Sequence, residues 1–257
     1  MLKPYFRNDF CTVYHGDALA VMGEMGARAD VCITDPPYGE TSLDWDKRLN
    51  WLNVARPLLQ QYGSVWFFTS VRHLLAVDMD GWRFAQDIVW EKHNGSNFHA
   101  DRFRRVHELA VQIYPEDVSW SEIYKNPVTT PDATARTVHR KKRPTHTGHI
   151  EAGAYQSFDG GPRLARSVMQ VRSCHGYAKH PTQKPLGIIQ PLIEYSCPKG
   201  GIVLDPFAGS GSTALAAWTL GRNSILIERD EKFCRLIVDR IQQETMPLYA
   251  TKTEASC

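Results

Sequence analysis

No two of the six cysteines (Cys11, Cys32, Cys174, Cys197, Cys234 and Cys257) stand in a Cys-x-x-Cys pair. That argues against a zinc ribbon or a disulfide scaffold, so no metal is expected, and the scatter fits a reducing cytoplasm. No stretch reaches the roughly 18 apolar residues of a membrane helix, and the opening MLKPYFRNDF has no apolar core of signal-peptide length. No Gly-Lys-[Ser/Thr] follows a glycine-rich loop, which excludes a Walker phosphate loop, and the full Gly-x-Gly-x-x-Gly dinucleotide pattern is missing too. Charge of one sign is also scarce overall, with a net of only +2. What remains is ordinary. Of 257 residues, 42% are hydrophobic and 23% charged, which rules out disorder across the chain and fits one large domain or a domain with an insertion.

The small net charge conceals an uneven distribution. Residues 92–184 carry 15 Lys and Arg against 8 Asp and Glu, and the remainder carries 15 against 20. Eight of the ten histidines also lie in this segment. A basic middle in an acidic chain suits a protein facing a polyanion, although a solvated insertion that happens to be basic has the same signature. The richest clusters are Arg102-Phe103-Arg104-Arg105 and Arg136 to Arg143, the latter holding Arg136, Arg140, Lys141, Lys142 and Arg143.

Around that middle, apolar patterning predicts two scaffold pieces. In the first, strands are expected at 30–34, 64–68 and 85–90, with helices at 50–61 and 71–79. In the second, helices are expected at 186–195, 212–220 and 231–243, and strands at 201–205 and 224–228. Alternating strands and helices imply an α/β fold with a mostly parallel sheet covered on both faces. A strand is expected at 107–114. Residues 125–178 read as loop-rich, 148–163 as a loop that a polyanion would order, and the tail after Pro247 as frayed.

Three constellations carry chemistry. At Val203 to Thr213 a buried strand ends in a loop holding Gly209 and Gly211, and a helix follows at once. Glycines let a ligand approach the backbone, and the helix start offers unpaired N–H groups. The next strand ends in Glu228, 17 residues after Gly211, where a carboxylate can accept from both ribose hydroxyls of an adenosine. The same segment could be only a tight strand–helix turn. The second constellation is Thr34-Asp35-Pro36-Pro37-Tyr38-Gly39. Its prolines stiffen the backbone and remove two donors. Asp35 and the Pro36 carbonyl can together accept from one amino group, and Tyr38 can stack on a planar ring. A rigid Pro-Pro turn is the alternative. The third is His180 to Pro185, in which Thr182 and Lys184 could meet a ligand carboxylate, or which could simply enter the next helix.

Taken together, these three motifs resemble those of the S-adenosylmethionine-dependent amino DNA methyltransferases. Their order, with the amino-acceptor motif ahead of the basic segment and the cofactor loop last, resembles the permuted β class. The match is specific at about 12–40 and 176–244. The resemblance implies a Rossmann-like methyltransferase fold with a seven-stranded sheet and a loop-rich target-recognition insertion. It implies catalytic and cofactor-binding parts at 1–91 and 179–247, target recognition at 92–178 and a tail at 248–257. Asp35, Pro36, Pro37 and Tyr38 become the catalytic set, and Asp35 in first position points to adenine N6. Phe207, Gly209 and Gly211 would floor the methionine part of the cofactor, with Asp205 at the head of that loop and Asp35 also beside the cofactor. Glu228 would hold the ribose, Asp17 the adenine ring, and Thr182 and Lys184 the cofactor carboxylate. Asp17 reads equally as a helix N-cap. Double-stranded DNA is the implied partner, contacted by the Arg and Lys clusters above, and a homodimer is expected from the class. The competing readings are a cytosine-N4 or RNA enzyme, a catalytically silent DNA-binding protein on the same fold, and a protein-amine or small-molecule methyltransferase.

Overall fold

The computed structural model describes residues 2–40, 46–93, 95, 101–140, 153–174, 176, 178–180 and 182–253. In chain order the elements are β1 (Phe6–Arg7), β2 (Cys11–His15), α1 (Ala18–Glu24), β3 (Ala29–Thr34), α2 (Leu52–Ala55), a 3-10 turn (Arg56–Leu58), β4 (Leu59–Thr69), α3 (Val71–Leu74), β5 (Trp82–Glu91) and β6 (His107–Pro115). There follow β7 (Thr129–Thr130), β8 (Arg136–Arg140), β9 (Gly153–Ser157), β10 (Arg163–Leu164), β11 (Val168–Gln170), α4 (Leu186–Ser196), β12 (Ile202–Asp205), α5 (Ser212–Thr219), β13 (Asn223–Glu228) and α6 (Glu231–Thr253).

Two units are distinct. The first comprises residues up to Asn126 and from Ser167 onward, and the second is Pro127–Arg166. The first holds a sheet in the order β1-β2-β13-β12-β3-β4-β6-β5-β11. Five of its eight pairings are parallel. The expected count of seven is therefore corrected to nine among the described residues. The two additional strands are β1 and β11, edge pieces of two and three residues, too short to leave an apolar pattern.

Alternation of side chains explains why the sheet is covered twice. Cys32, Val65, Phe67, Leu204, Ile225 and Ile227 point to one face, where they pack with Val21 and Met22 of α1 and Leu52 and Ala55 of α2. Val31, Ile33, Trp66, Phe68 and Val203 point to the other, against Ile188, Ile189, Leu192 and Ile193 of α4 and Ala216 and Ala217 of α5. Leu226 packs with Cys234, Ile237 and Ile241 of α6. β3 is buried along all six residues, as expected of a strand covered on both sides.

Several expectations about elements are revised. The helix expected over 50–61 stops at Ala55, turns through a 3-10 step and becomes β4 at Leu59. Leu58 and Leu59 suit helical spacing, but the pairing of Ala29 with Leu59 draws the chain into the sheet. The helix expected over 71–79 ends at Leu74, and Leu75 is exposed. β2 has no counterpart among the strands expected from patterning. The tail does not fray at Pro247, because α6 continues to Thr253. In the second unit β8 pairs antiparallel with β9 and β7 with β10, so part of the segment expected to be loop is strand. No helix among the described residues is long and apolar enough to cross a membrane.

Candidate active site

The parallel strands β2, β13, β12, β3 and β4 all end on one edge of the sheet, and β6 begins there because it runs antiparallel to β4. Ligands of open α/β sheets bind at such carboxyl ends. A cavity of about 520 Å³ opens at this edge. Its wall includes Asp17 after β2, Asp35 and Pro37 after β3, Thr182 and Lys184 ahead of α4, Asp205 at the end of β12 with Phe207 and Gly209 after it, and Glu228 at the end of β13. Residues 35 and 207, far apart in sequence, thus face one space.

The loop after β12 is shaped by its glycines. Gly209 and Gly211 have φ of 52° and 75°, in the left-handed region that disfavours side chains. A Cβ on Gly211 would come within 3.0 Å of Ile237. Gly211 caps α5 rather than lining the cavity. Glu228 ties the loop down, accepting from Gly209 N at 2.8 Å and Asp230 N at 2.8 Å. Burial pushes its carboxyl up, against the pull of those backbone donors. Asp205 Oδ1 accepts from the Thr34 hydroxyl at 2.7 Å and from Phe207 N at 3.1 Å. Burial still lifts Asp205 to about 6. Phe207 is braced edge-on by Trp51, with ring centres 5.8 Å apart. Asp17 caps α1, its Oδ1 accepting from Leu19 N at 3.1 Å and Ala20 N at 3.2 Å, while the residue also walls the cavity. The two sequence readings of Asp17 are therefore compatible.

The wall fits an adenosine bearing a positive sulfonium better than a nucleotide. It holds the carboxylates Asp17, Asp205 and Glu228, and its loop has no lysine to meet a phosphate. Burial raises two of those carboxyls, and a cation lying among them would offset that cost.

On the other side of the cavity, the turn after β3 is pinned. Asp46 accepts from Gly39 N at 2.7 Å and Glu40 N at 3.0 Å, and Arg48 Nε donates to the Tyr38 carbonyl at 3.1 Å. Tyr38 is set back from the cavity wall. Its hydroxyl donates to Asp35 Oδ1 at 2.5 Å, and its ring stacks on His73 with centres 4.8 Å apart and planes 24° apart. His73 is itself fixed, with Nδ1 2.8 Å from the Thr69 hydroxyl. The Thr69 hydroxyl also lies 3.0 Å from the Ser70 carbonyl. Pro36 is buried behind the turn.

Lys184 reaches across this wall. Its ammonium donates to Asp35 Oδ2 and lies 3.4 Å from Glu108 Oε2. Glu108 Oε1 in turn accepts from Lys92. Burial alone would raise the Glu108 carboxyl, but Lys184 and Lys92 outweigh it and hold it near about 2. Burial pulls Lys184 down, and Asp35 and Glu108 more than reverse that. Burial raises Asp35, with Lys184 opposing and Glu108 adding to the rise. Thr182 is bonded to its neighbour His180, N and Oγ1 lying 3.3 and 3.2 Å from His180 Nδ1. His180 packs on Phe233 at 4.3 Å, and burial followed by the nearby Lys184 lowers it to about 4.

Sequence reasoning missed Glu108, His73, Phe68 and Phe233. A carboxylate at the head of the apolar run His107 to Tyr114 was the available signal for Glu108. Nothing in the sequence singled out His73.

Of the polyanion-facing candidates, Arg102 is exposed and paired with Asp101 at 2.7 Å. Arg104 is exposed, while Arg105 is half-buried with Nε donating to the His107 carbonyl at 3.2 Å. In the second unit Arg136 is exposed at the start of β8 and Arg140 ends it. Lys141, Lys142 and Arg143 lie outside the described residues.

A family model described as DNA methylase, covering N6 and N4 methyltransferases, matches residues 29–239. The chain belongs to that family. Among its relatives, the type II methyltransferase M2.DpnII of Streptococcus pneumoniae is 24% identical over 95% of this chain and 94% of its own length. M.HinfI of Haemophilus influenzae is 26% identical over 92% and 70%. The crystal structure of the M1.HpyAVI–SAM complex superposes with a TM-score of 0.62 at 25% identity, covering 90% of this methylase and 99% of that chain. The cytosine-N4-specific PvuII DNA methyltransferase shares the fold alone, with a TM-score of 0.62 at 14% identity over 92% and 88%.

Proposed function

We propose that this DNA methylase transfers a methyl group from S-adenosylmethionine to the N6 amino group of adenine in duplex DNA. The observation that carries the proposal is the meeting of Asp35 with Asp205, Phe207 and Glu228 on one cavity wall. When bound, S-adenosylmethionine supplies a methyl group already activated on a sulfonium sulfur. Phe207 and Gly209 would lie under its methionine part, Glu228 would take the ribose hydroxyls, and Asp17 would meet the adenine. The protein's own work is then placement. An exocyclic amine is a poor nucleophile, because its lone pair is spread into the ring. Asp35 and the Pro36 carbonyl would accept its two hydrogens and draw the nitrogen toward a tetrahedral shape. Alignment of that kind supplies much of the rate in a direct transfer.

The amine of a paired adenine is buried in the duplex, so the base must swing out. Tyr38, backed by His73, offers a ring on which the extruded base can stack, and such stacking contributes about 1–3 kcal/mol. The target-recognition role stays with residues 92–178, where Arg102, Arg104, Arg105, Arg136, Arg140, Lys141, Lys142 and Arg143 are the assigned DNA-binding side chains. A homodimer belongs to the same reading, on the strength of the class resemblance, and sedimentation of the purified chain tests it.

The deciding experiment is transfer of labelled methyl groups to unmethylated DNA and RNA, followed by nucleoside identification. N6-methyl-2′-deoxyadenosine from the DNA is expected. N4-methylcytosine, label in RNA, or no label with DNA binding intact would each replace the proposal with one of its competitors.

A further inference from the structure

Beside the acceptor turn lies a row of alternating charges, of which the proposed reaction uses only the Tyr38 and Asp35 end. It runs Tyr38 hydroxyl, Asp35, Lys184, Glu108, Lys92. All four ionic side chains are well covered, with Asp35 18%, Lys184 10%, Glu108 17% and Lys92 12% exposed. Both oxygens of Asp35 are already engaged, Oδ1 by Tyr38 and Oδ2 by Lys184. Each oxygen can still accept a second hydrogen bond, but an amine arriving on the Oδ2 side crowds the buried Lys184 ammonium held there.

Displacing a buried ammonium costs more than displacing a phenol, unless the ammonium has somewhere to go. Glu108 provides that place. Its Oε2 is fully buried, and among the described residues no group hydrogen-bonds to it. It stands 3.4 Å from the Lys184 nitrogen, within ion-pair range. Its other oxygen is held by Lys92, which also rests over the Trp90 ring at 4.5 Å, so the carboxylate is anchored from behind. Lys184 has three N–H donors on a flexible stem and lies over the Phe68 ring at 5.0 Å, so a short swing keeps it over the same apolar floor.

We propose that Glu108 is a positioning residue, and that Lys184 passes from Asp35 Oδ2 to Glu108 Oε2 as the target amine takes its place on Asp35. No covalent bond changes and no proton moves in this step. The ammonium exchanges one carboxylate for another, and the net charge of the row is unchanged. The inference rests on the reading that Asp35 receives the amine.

The test uses the full-length protein with Glu108→Gln and Glu108→Asp, assayed on unmethylated bacterial genomic DNA. Gln keeps the shape but removes the charge that attracts Lys184, so the ammonium stays on Asp35. The expected result is S-adenosylmethionine affinity within about 2-fold of the parent, little change in KM for DNA, and kcat lower by roughly 10- to 100-fold. Glu108→Asp should recover part of that loss. A kcat for Glu108→Gln within about 2-fold of the parent overturns the inference. So does an equal loss in both variants, since disturbed packing would act that way. If Glu108→Gln fails to fold, a crystal structure of the parent with S-adenosylhomocysteine and DNA decides instead. Lys184 on Glu108 Oε2 is expected there, and Lys184 still on Asp35 with the amine in place overturns it. Turnover retained by Asp35→Ala would sink the underlying reading. An inactive Asp35→Ala beside a fully active Glu108→Gln would sink this inference alone.

Discussion

Thr34 and Asp205, 171 positions apart, share a buried hydrogen bond of 2.7 Å in which the threonine hydroxyl donates. Thr34 is the last residue of β3 and Asp205 the last of β12, neighbouring parallel strands. The bond clamps together the two strand ends from which the acceptor turn and the glycine loop depart. It sets the spacing between Asp35 and Phe207, and so the distance across which a methyl group would have to pass.

Thr34→Val should loosen that clamp without changing side-chain volume much. Asp205 would keep the Phe207 N–H on Oδ1 and the hydrogen bond from the Thr213 side chain. A loss of about 1–3 kcal/mol is expected, read as a lower urea midpoint with unchanged slope. Weaker S-adenosylmethionine binding should accompany it in calorimetry. Unchanged stability would mean that the two strand ends are held by the sheet alone.

Asp205 also makes stability depend on pH. Its folded value of about 6 lies above the ordinary carboxyl value, because burial disfavours the charge. A raised carboxyl contributes stability that is full below its unfolded value and is lost as pH climbs through the folded one. The ionised side chain should therefore cost the cofactor-free protein up to about 3 kcal/mol above pH 7. Asp205→Asn keeps an oxygen for Thr34 and Phe207 but carries no charge. Its melting temperature should exceed the parent's at pH 8, and the advantage should shrink toward pH 4. An advantage equal at both pH values would show that ionisation is not the cause.

Much of this site was legible because its residues come in local runs. Asp35 to Tyr38, His180 to Pro185 and Asp205 to Gly211 are each contiguous, and each follows a strand or precedes a helix that apolar spacing reveals. Glu228 was legible from its distance to Gly211. The partners of these residues were not. Glu108 gains meaning only through Lys184 and Lys92, and His73 only through the Tyr38 ring, and such pairings depend on strand order rather than on spacing. The same limit explains Leu59, which fits a helix by its neighbours and a strand by its pairing with Ala29. Lys184 was expected beside the cofactor carboxylate. It does wall the cavity, but its ammonium is engaged by Asp35 and Glu108.

The basic clusters make a prediction that salt can read. If Arg102, Arg104 and Arg105 meet phosphates, removing each guanidinium should flatten the dependence of log affinity on log salt by about 0.9. The triple alanine variant should bind DNA more weakly at 50 mM salt and less so at 200 mM. Arg136→Ala should act in the same direction and more weakly. Arg105 is the informative member, since its Nε is already used by the His107 carbonyl. A variant with reduced affinity and an unchanged salt slope would place these side chains in a structural role.

Asp35→Ala separates binding from chemistry. Asp35 contributes no hydrogen bond to the glycine loop, whose side-chain ties run through Glu228, Asp205 and Arg240. Lys184 would lose one carboxylate but keep Glu108, so the buried ammonium stays compensated and the fold should survive. Tyr38 would lose its acceptor and keep its stacking on His73. S-adenosylmethionine affinity should therefore hold within a few-fold, while methyl transfer should fall by at least about 10³-fold, the scale seen when a group acting directly on the reacting atoms is removed. Asp35→Asn should recover little, because its amide has one oxygen to share between Lys184 and the arriving amine, both of which are donors. Cofactor binding followed by calorimetry and turnover by labelled methyl transfer give the two readings independently. Loss of both together would return Asp35 to a purely structural part in the turn.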